Sequence, residues 1–234
     1  MTLIQAVPVT NRVLDALPRK EREQLLAHCE AVEFMSGEVL YRAGEAVPHV
    51  YFPAGGFVSL MAPVDGTNLE VGLVGSEGMI GATLMLGVDI APFTALVQGA
   101  GAAQRLMAPA FLRLLEQSPA LQAVLKRYLY VSMRQLAQIA ACNRFHRVEA
   151  RLARWLLMTR DRASSDHIHI THVFLAYMLG VRRVGITKAA NSLQRRKLIS
   201  YRRGDITILD RTGLEAVACG CYRADKEIHE RILG

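Results

Sequence analysis

The sequence predicts an α+β chain in three parts: an N-terminal antiparallel β-roll, a long central helix, and a compact helical unit that ends in a basic β-hairpin. Three observations predict it. Residues 31 to about 108 alternate short apolar segments with glycines, the texture of short strands joined by tight turns. After Pro119 neither glycine nor proline occurs before Gly180, which leaves room for long helices. Charge then divides the chain: residues 142–234 hold 18 Lys and Arg against 9 Asp and Glu, whereas residues 1–141 hold 10 against 12. The net +7 therefore comes wholly from the C-terminal part.

Residues 12–30 read as a short amphipathic stretch, with Leu14, Leu17, Leu25 and Leu26 on the apolar side and Arg19-Lys-Glu-Arg-Glu outside. Strands are predicted at 39–41, 50–52, 57–61, 69–74 and 95–97, with Gly37, Gly44, Gly55-Gly56, Gly66 and Gly75 at the turns. This spacing describes a small antiparallel barrel or roll. Met107-Ala-Pro109 opens a helical region, and Ser118-Pro119 restarts it, since serine suits an N-cap and proline the first helical position. Along this helix Leu125, Leu129, Ser132, Leu136 and Ile139 follow a 4-3-4-3 spacing, that of a two-helix seam. A second stripe runs through Leu121, Val124, Tyr128 and Val131. One stripe can cover the roll while the other meets a second copy, so a homodimer is expected.

The segment 171–200 carries the most chemistry. Thr171 can cap a first short helix in which Leu175, Ala176 and Leu179 line one face. Gly180 follows where a left-handed C-cap favours glycine. In a second helix Ile186, Ala189, Ala190 and Leu193 repeat at i, i+3, i+4, i+7 and pack inward. The opposite face offers Arg183, Val184, Thr187, Lys188 and Asn191, with Arg182 just before it. Arginine and lysine can donate to guanine edges or phosphates, and asparagine can pair with adenine. Two short strands around Arg203-Gly204-Asp205 follow, placing Arg202 and Arg203 where a wing meets phosphates. Two helices, a tight turn and a basic hairpin make a winged helix-turn-helix. The expected partner is double-stranded DNA, and a two-fold dimer calls for a palindromic operator.

Other classes fit poorly. Hydrophobic residues make up 51% of the chain and mean hydropathy is +0.19, yet no apolar run of about 18 residues is free of charge, Pro or Gly clusters. The first residues lack the basic start and long apolar core of a signal peptide. A soluble cytoplasmic protein with four reduced cysteines and no membrane partner is expected. No paired carboxylates, activated nucleophile or metal-assisted set suggests catalysis. No metal site or cofactor is assigned. His167, His169 and His172 lack a carboxylate or thiol to complete a ligand set. Cys219-Gly-Cys221 reads as ordinary thiols, although Cys142, near the entry to the basic region, leaves a thiol response open.

Roll, long helix and winged helix-turn-helix, in this order and at this length, resemble the CRP/FNR family of bacterial transcription regulators. Ser36-Gly37-Glu38-Val39-Leu40-Tyr41-Arg42-Ala43-Gly44-Glu45 is similar to that family's entry into its cyclic-nucleotide-binding-like roll. Val50 to Val58 is similar to the following hairpin, Gly78-Met79-Ile80-Gly81 to the start of the phosphate-binding cassette, and Arg151 to Leu157 to the helix leading into the DNA reader. The resemblance implies a sensor roll over 1–117, a dimerisation helix over 118–145 and a DNA-binding domain over 146–234. It also makes RNA polymerase a candidate partner, and Gly81, Ala82, Thr83, Phe93 and Thr94 the candidate ligand pocket.

The departures bear on the effector. Relatives that bind cyclic nucleotides place a Glu on the ribose and an Arg on the cyclic phosphate; here those positions resemble Ala82 or Thr83, and Phe93 followed by Thr94. No basic residue occurs between Glu77 and Arg105. A buried phosphate without a cation carries a large desolvation cost, so cyclic AMP or GMP is not the expected effector. An FNR-type iron-sulfur sensor needs an N-terminal cysteine cluster, and only Cys29 lies in the first 141 residues. Either an unknown small molecule switches the protein, or the roll is an effector-free or thiol-responsive scaffold, or a protein-interaction module beside a non-specific DNA binder. Val184 stands where many relatives carry a base-reading Glu, so a different operator is expected.

Overall fold

The structure, a computed structural model, describes residues 11–234; the stretch searched above for a signal peptide lies mostly outside them. The described chain forms two compact units. One comprises residues up to Val58, Val74–Leu129 and Leu233–Gly234; the other comprises Ser59–Leu73 and Tyr130–Ile232.

The first unit begins with helices α1 (Arg12–Asp15) and α2 (Arg19–Leu26). Asn11 secures this start. Its side-chain oxygen accepts from the amides of Val13 and Leu14, and its Nδ2 donates to the carbonyls of Pro53 and Gly78, each at 2.8 Å. Leu14, Leu17 and Leu25 are buried, as their spacing requires.

Strands β1 (Glu30–Phe34), β2 (Val39–Tyr41), β3 (His49–Pro53), β4 (Phe57–Val64), β5 (Thr67–Val74), β6 (Thr94–Gly99) and β7 (Gly101–Met107) form two sheets, in the orders β1-β7-β3 and β2-β6-β4-β5. The pairings β1·β7, β3·β7 and β2·β6 are antiparallel. The five expected strands are present, joined by β1 and β7. Phe34, Phe52, Met79, Ile80, Leu106 and Phe111 fill the interior, and each such burial stabilises by about 1.5–3 kcal/mol.

Helix α3 (Ala108–Gln117) ends at Ser118, whose hydroxyl accepts from the Leu121 amide at 2.9 Å and thereby caps α4 (Pro119–Phe145). A second hydrogen bond joins Ser118 to Glu21. Leu121, Val124, Leu125, Tyr128 and Val131 are buried along α4. Tyr128 donates its hydroxyl to the Met79 carbonyl at 2.9 Å.

The second unit is built on α5 (Val148–Ala163), whose Leu152, Trp155, Leu156 and Leu157 are almost wholly buried. Around it lie β8 (His167–His169), α6 (His172–Leu179), α7 (Arg183–Arg195), β9 (Ile199–Arg202), β10 (Asp205–Ile208), α8 (Arg211–Val217) and α9 (Cys221–Leu233). The strands form an antiparallel sheet in the order β8-β10-β9. Trp155 also donates its indole N–H to Glu70 on β5 at 2.9 Å, and the Ser59 hydroxyl donates to the same carboxyl at 2.7 Å. No helix among the described residues is long and apolar enough to cross a membrane.

Candidate DNA-binding face

Helix α6 starts at Thr171, whose Oγ1 accepts from the Phe174 amide at 3.2 Å. It ends at Gly180, which sits in the left-handed region with φ of 58°. The Val181 amide closes back onto the Ala176 carbonyl at 3.0 Å, satisfying a helix-terminal acceptor. A side chain at Gly180 would also meet Leu69 Cδ1 at 2.7 Å. From the interior, the buried Arg151 donates through Nη2 to the Leu179 carbonyl and to Asn143 Oδ1. A cation at a helix C-terminus opposes the dipole there. The turn is therefore held by backbone geometry on one side and a guanidinium on the other.

Helix α7 presents the predicted amphipathic division. Ile186, Ala189, Ala190 and Leu193 are buried, while Arg182, Arg183, Val184, Lys188 and Asn191 are exposed. An open concavity is lined by Lys188, Asn191, Gln194 and Arg195. Gln194 and Arg195 extend the polar face one turn beyond the predicted residues, although the Gln194 side chain also accepts from the Tyr201 amide at 2.8 Å. The i, i+3, i+4 spacing that nominated Asn191 could have nominated them too.

Thr187 is engaged inside the unit. Its hydroxyl donates to the Arg183 carbonyl at 3.2 Å, and its oxygen lies 3.1 Å from His172 Nδ1. The His172 ring stacks on Tyr201 of β9, with centroids 4.1 Å apart and planes inclined by 13°. Burial, then the nearby Arg183 charge, pulls the His172 imidazole below its ordinary range. The ring is thus a spacer between the reading helix and the hairpin. No local pattern of residues signals this link, because His172 and Tyr201 are far apart in the chain.

The hairpin turns at Arg203 and Gly204, with φ of 51° and 93°, as a two-residue turn of the primed type requires. Arg202 pairs across the ladder with Asp205, and both Arg202 and Arg203 are exposed. His169 lies 2.7 Å from Asp205, and His167 lies 3.1 Å from Thr207. With His172 turned toward Thr187, these three histidines have separate partners.

In the roll, Gly81 precedes a short 3-10 turn at Ala82–Leu86. Thr83 Oγ1 is buried without a hydrogen-bond partner among the described residues. Thr94 opens β6, and its hydroxyl accepts from the Ala43 amide at 3.1 Å; Phe93 beside it is half-buried. Arg105 is paired with Glu30 at 2.6 Å. Along α4, Leu125 and Ile139 are buried within the chain, Leu129 and Ser132 are half-buried, and Leu136 is exposed together with Tyr130 and Met133.

A Crp-like helix-turn-helix domain matches residues 150–217, and a cyclic nucleotide-binding domain matches residues 31–118. No curated protein matches the chain. Among solved structures, a putative CRP/FNR-family transcriptional regulator from Eubacterium rectale superposes with a TM-score of 0.70 at 16% identity, covering 88% of this chain and 96% of the other. A CRP/FNR-family transcriptional regulator from Thermus thermophilus gives 0.67 at 24% identity, covering 81% and 98%. The c-di-GMP-responsive global regulator CLP of Xanthomonas campestris gives 0.67 at 18%, covering 82% and 99%. These likenesses establish the fold, and the two domain matches give its parts their type. Carrying both domains in this order, the chain belongs to the CRP/FNR family of transcription regulators, DNA-binding proteins rather than enzymes.

Proposed function

We propose that the protein is a cytoplasmic, homodimeric, sequence-specific regulator whose roll does not take cyclic AMP or GMP in the family's usual manner. The observation that carries this reading is the shared exposure of Arg183, Val184, Lys188 and Asn191 on one face of α7, beside Arg202 and Arg203 at the hairpin turn. Arg183 and Asn191 suit base edges, Val184 suits a thymine methyl, and the hairpin arginines suit phosphates. Thr171 and Thr187 border this face, and Arg182 adds a cation at the start of the helix.

The division into a sensor roll over 1–117, a dimerisation helix over 118–145 and a reader over 146–234 belongs to the same proposal. Leu129, Ser132 and Leu136 then meet a second copy, with Met133 beside them, and Leu125 and Ile139 support that face from within. Two readers on one two-fold axis enter major grooves about 34 Å apart. RNA polymerase is the further partner at such a site. For the roll, the segment between Glu77 and Arg105, which carries Gly81, Ala82, Thr83, Phe93 and Thr94, holds no basic residue; this disfavours an anionic phosphate held in the family's usual manner and leaves a less charged small molecule as the effector.

Footprinting on genomic fragments tests the reading. A protected palindrome that survives moderate salt supports it. Uniform, salt-labile retention with no protected site would overturn it in favour of a roll that acts as a scaffold or interaction module. Native mass spectrometry of protein from its own host separates an occupied roll from an empty one.

A further inference from the structure

The second unit gathers four groups that the sequence separates widely. Cys142 on the last turn of α4 and His146 just after it lie one helical turn apart, while Cys219 stands in the turn after α8 and Cys221, across Gly220, opens α9. The three sulfurs and one ring nitrogen all lie within 4.8 Å of one another. Cys142 Sγ is 3.5 Å from Cys219 Sγ, and Cys221 Sγ is 3.5 Å from His146 Nδ1. We propose that these four side chains form a mononuclear zinc site that joins the end of α4 to the α8–α9 turn.

The distances favour a single ion over the alternatives. A tetrahedral ion with zinc–sulfur bonds near 2.3 Å sets its thiolates about 3.8 Å apart, close to the spacing here. A disulfide needs sulfurs about 2.05 Å apart, and all four cysteines are free. An iron-sulfur cluster interposes several irons between its thiolates and spreads them farther than these atoms stand. Soft thiolates together with one imidazole, close enough to share one ion, select zinc.

The surroundings fit a bound ion as well. Cys142, Cys219 and Cys221 are buried, while His146 is exposed and closes the site from the solvent side. Gln138 donates its amide N–H to Cys221 Sγ at 2.9 Å, the kind of outer contact that orients a thiolate ligand. Binding releases three thiol protons to solvent and leaves three thiolates and a neutral imidazole around a dication, a net charge of −1. The buried guanidiniums of Arg151 and Arg154 lie within electrostatic reach of these sulfurs and offset that charge. Because the ligands come from opposite ends of the unit's sequence, binding free energy becomes folding free energy.

Metal analysis of the full chain, expressed without a metal-binding tag, tests the site. One zinc per chain is expected, released in step with thiol modification by a mercurial. Cobalt should replace it and give the visible bands of a tetrahedral thiolate site. His146→Ala removes an exposed ligand without disturbing the core, so it should keep its circular dichroism spectrum and lose zinc affinity by more than roughly 100-fold. Purified chain with neither zinc nor a cobalt spectrum would overturn the proposal. So would iron with acid-labile sulfide, a Cys142–Cys219 disulfide in protein kept under reducing conditions, or undiminished zinc affinity in His146→Ala.

Discussion

His172 stacks face to face on Tyr201 at 4.1 Å, and through Thr187 it also touches the reading helix. One side chain thereby couples the hairpin to the surface of α7. Aromatic pairs of this kind contribute about 0.5–1.5 kcal/mol beyond their buried area. Tyr201→Ala should therefore weaken binding to every DNA sequence, by loosening the hairpin that carries Arg202 and Arg203, while base preference stays unchanged. Binding curves on specific and scrambled duplexes check this; a selective loss on the specific site would refute it. The imidazole should titrate below its ordinary range, since burial and Arg183 both disfavour the cation, and ring resonances followed by NMR report it directly.

Arg183 and Arg203 should separate in their effects. Both are exposed, but Arg183 stands on the reading helix and Arg203 at the hairpin tip. Arg183→Ala should cost about 1–3 kcal/mol on the specific site and relax preference at one position. Arg203→Ala should weaken all sequences alike and reduce the salt slope by about one. Gel shifts across a salt series distinguish them, and equal salt slopes for Arg203→Ala and the parent would count against phosphate contact.

Much of this surface was legible because it depends on local periodicity. Ile186, Ala189, Ala190 and Leu193 mark the buried side of α7 by spacing alone, and Gly180 and Gly204 mark the turns by the backbone each needs. What could not be read joins distant residues. Glu30–Phe34 and Gly101–Met107 pair with each other across the roll, yet each is short, carries polar residues and lacks clean alternation. His172 meets Tyr201, and Cys142 meets Cys219, through packing that no single window contains. In α4, spacing nominated Leu125 and Ile139 for the same seam as Leu136, whereas the fold covers the first two and leaves Leu136 exposed.

Leu136 gives the sharpest test of dimerisation. Its side chain is exposed beside Met133, which is 68% accessible, on a helix whose opposite face is filled. A charge there costs the single chain little but is expensive in a desolvated seam. Leu136→Arg should leave the thermal unfolding of the chain nearly unchanged and shift the sedimenting species from dimer to monomer. It should also abolish palindrome protection. An unaltered dimer would move the interface elsewhere.

Glu70 should give the second unit a pH-dependent stability of definite sign. Its carboxyl is buried, and that burial pushes it up to about 7, against the opposing hydrogen bonds from Ser59 and Trp155 and the charges of Arg154 and Arg162. The folded chain therefore holds this proton over a range in which the unfolded chain, at its ordinary value of 4.5, has released it. Stability attributable to this group is intact below about pH 4.5 and declines as pH rises toward 7, by on the order of 3 kcal/mol in all. Glu70→Gln stays neutral, can still accept from Trp155 and can donate to Ser59. Relative to the parent it should be more stable at pH 8 and nearly equal at pH 5 in denaturant melts. A parent-minus-variant difference that does not change with pH would show that the carboxyl is ionised in the folded state.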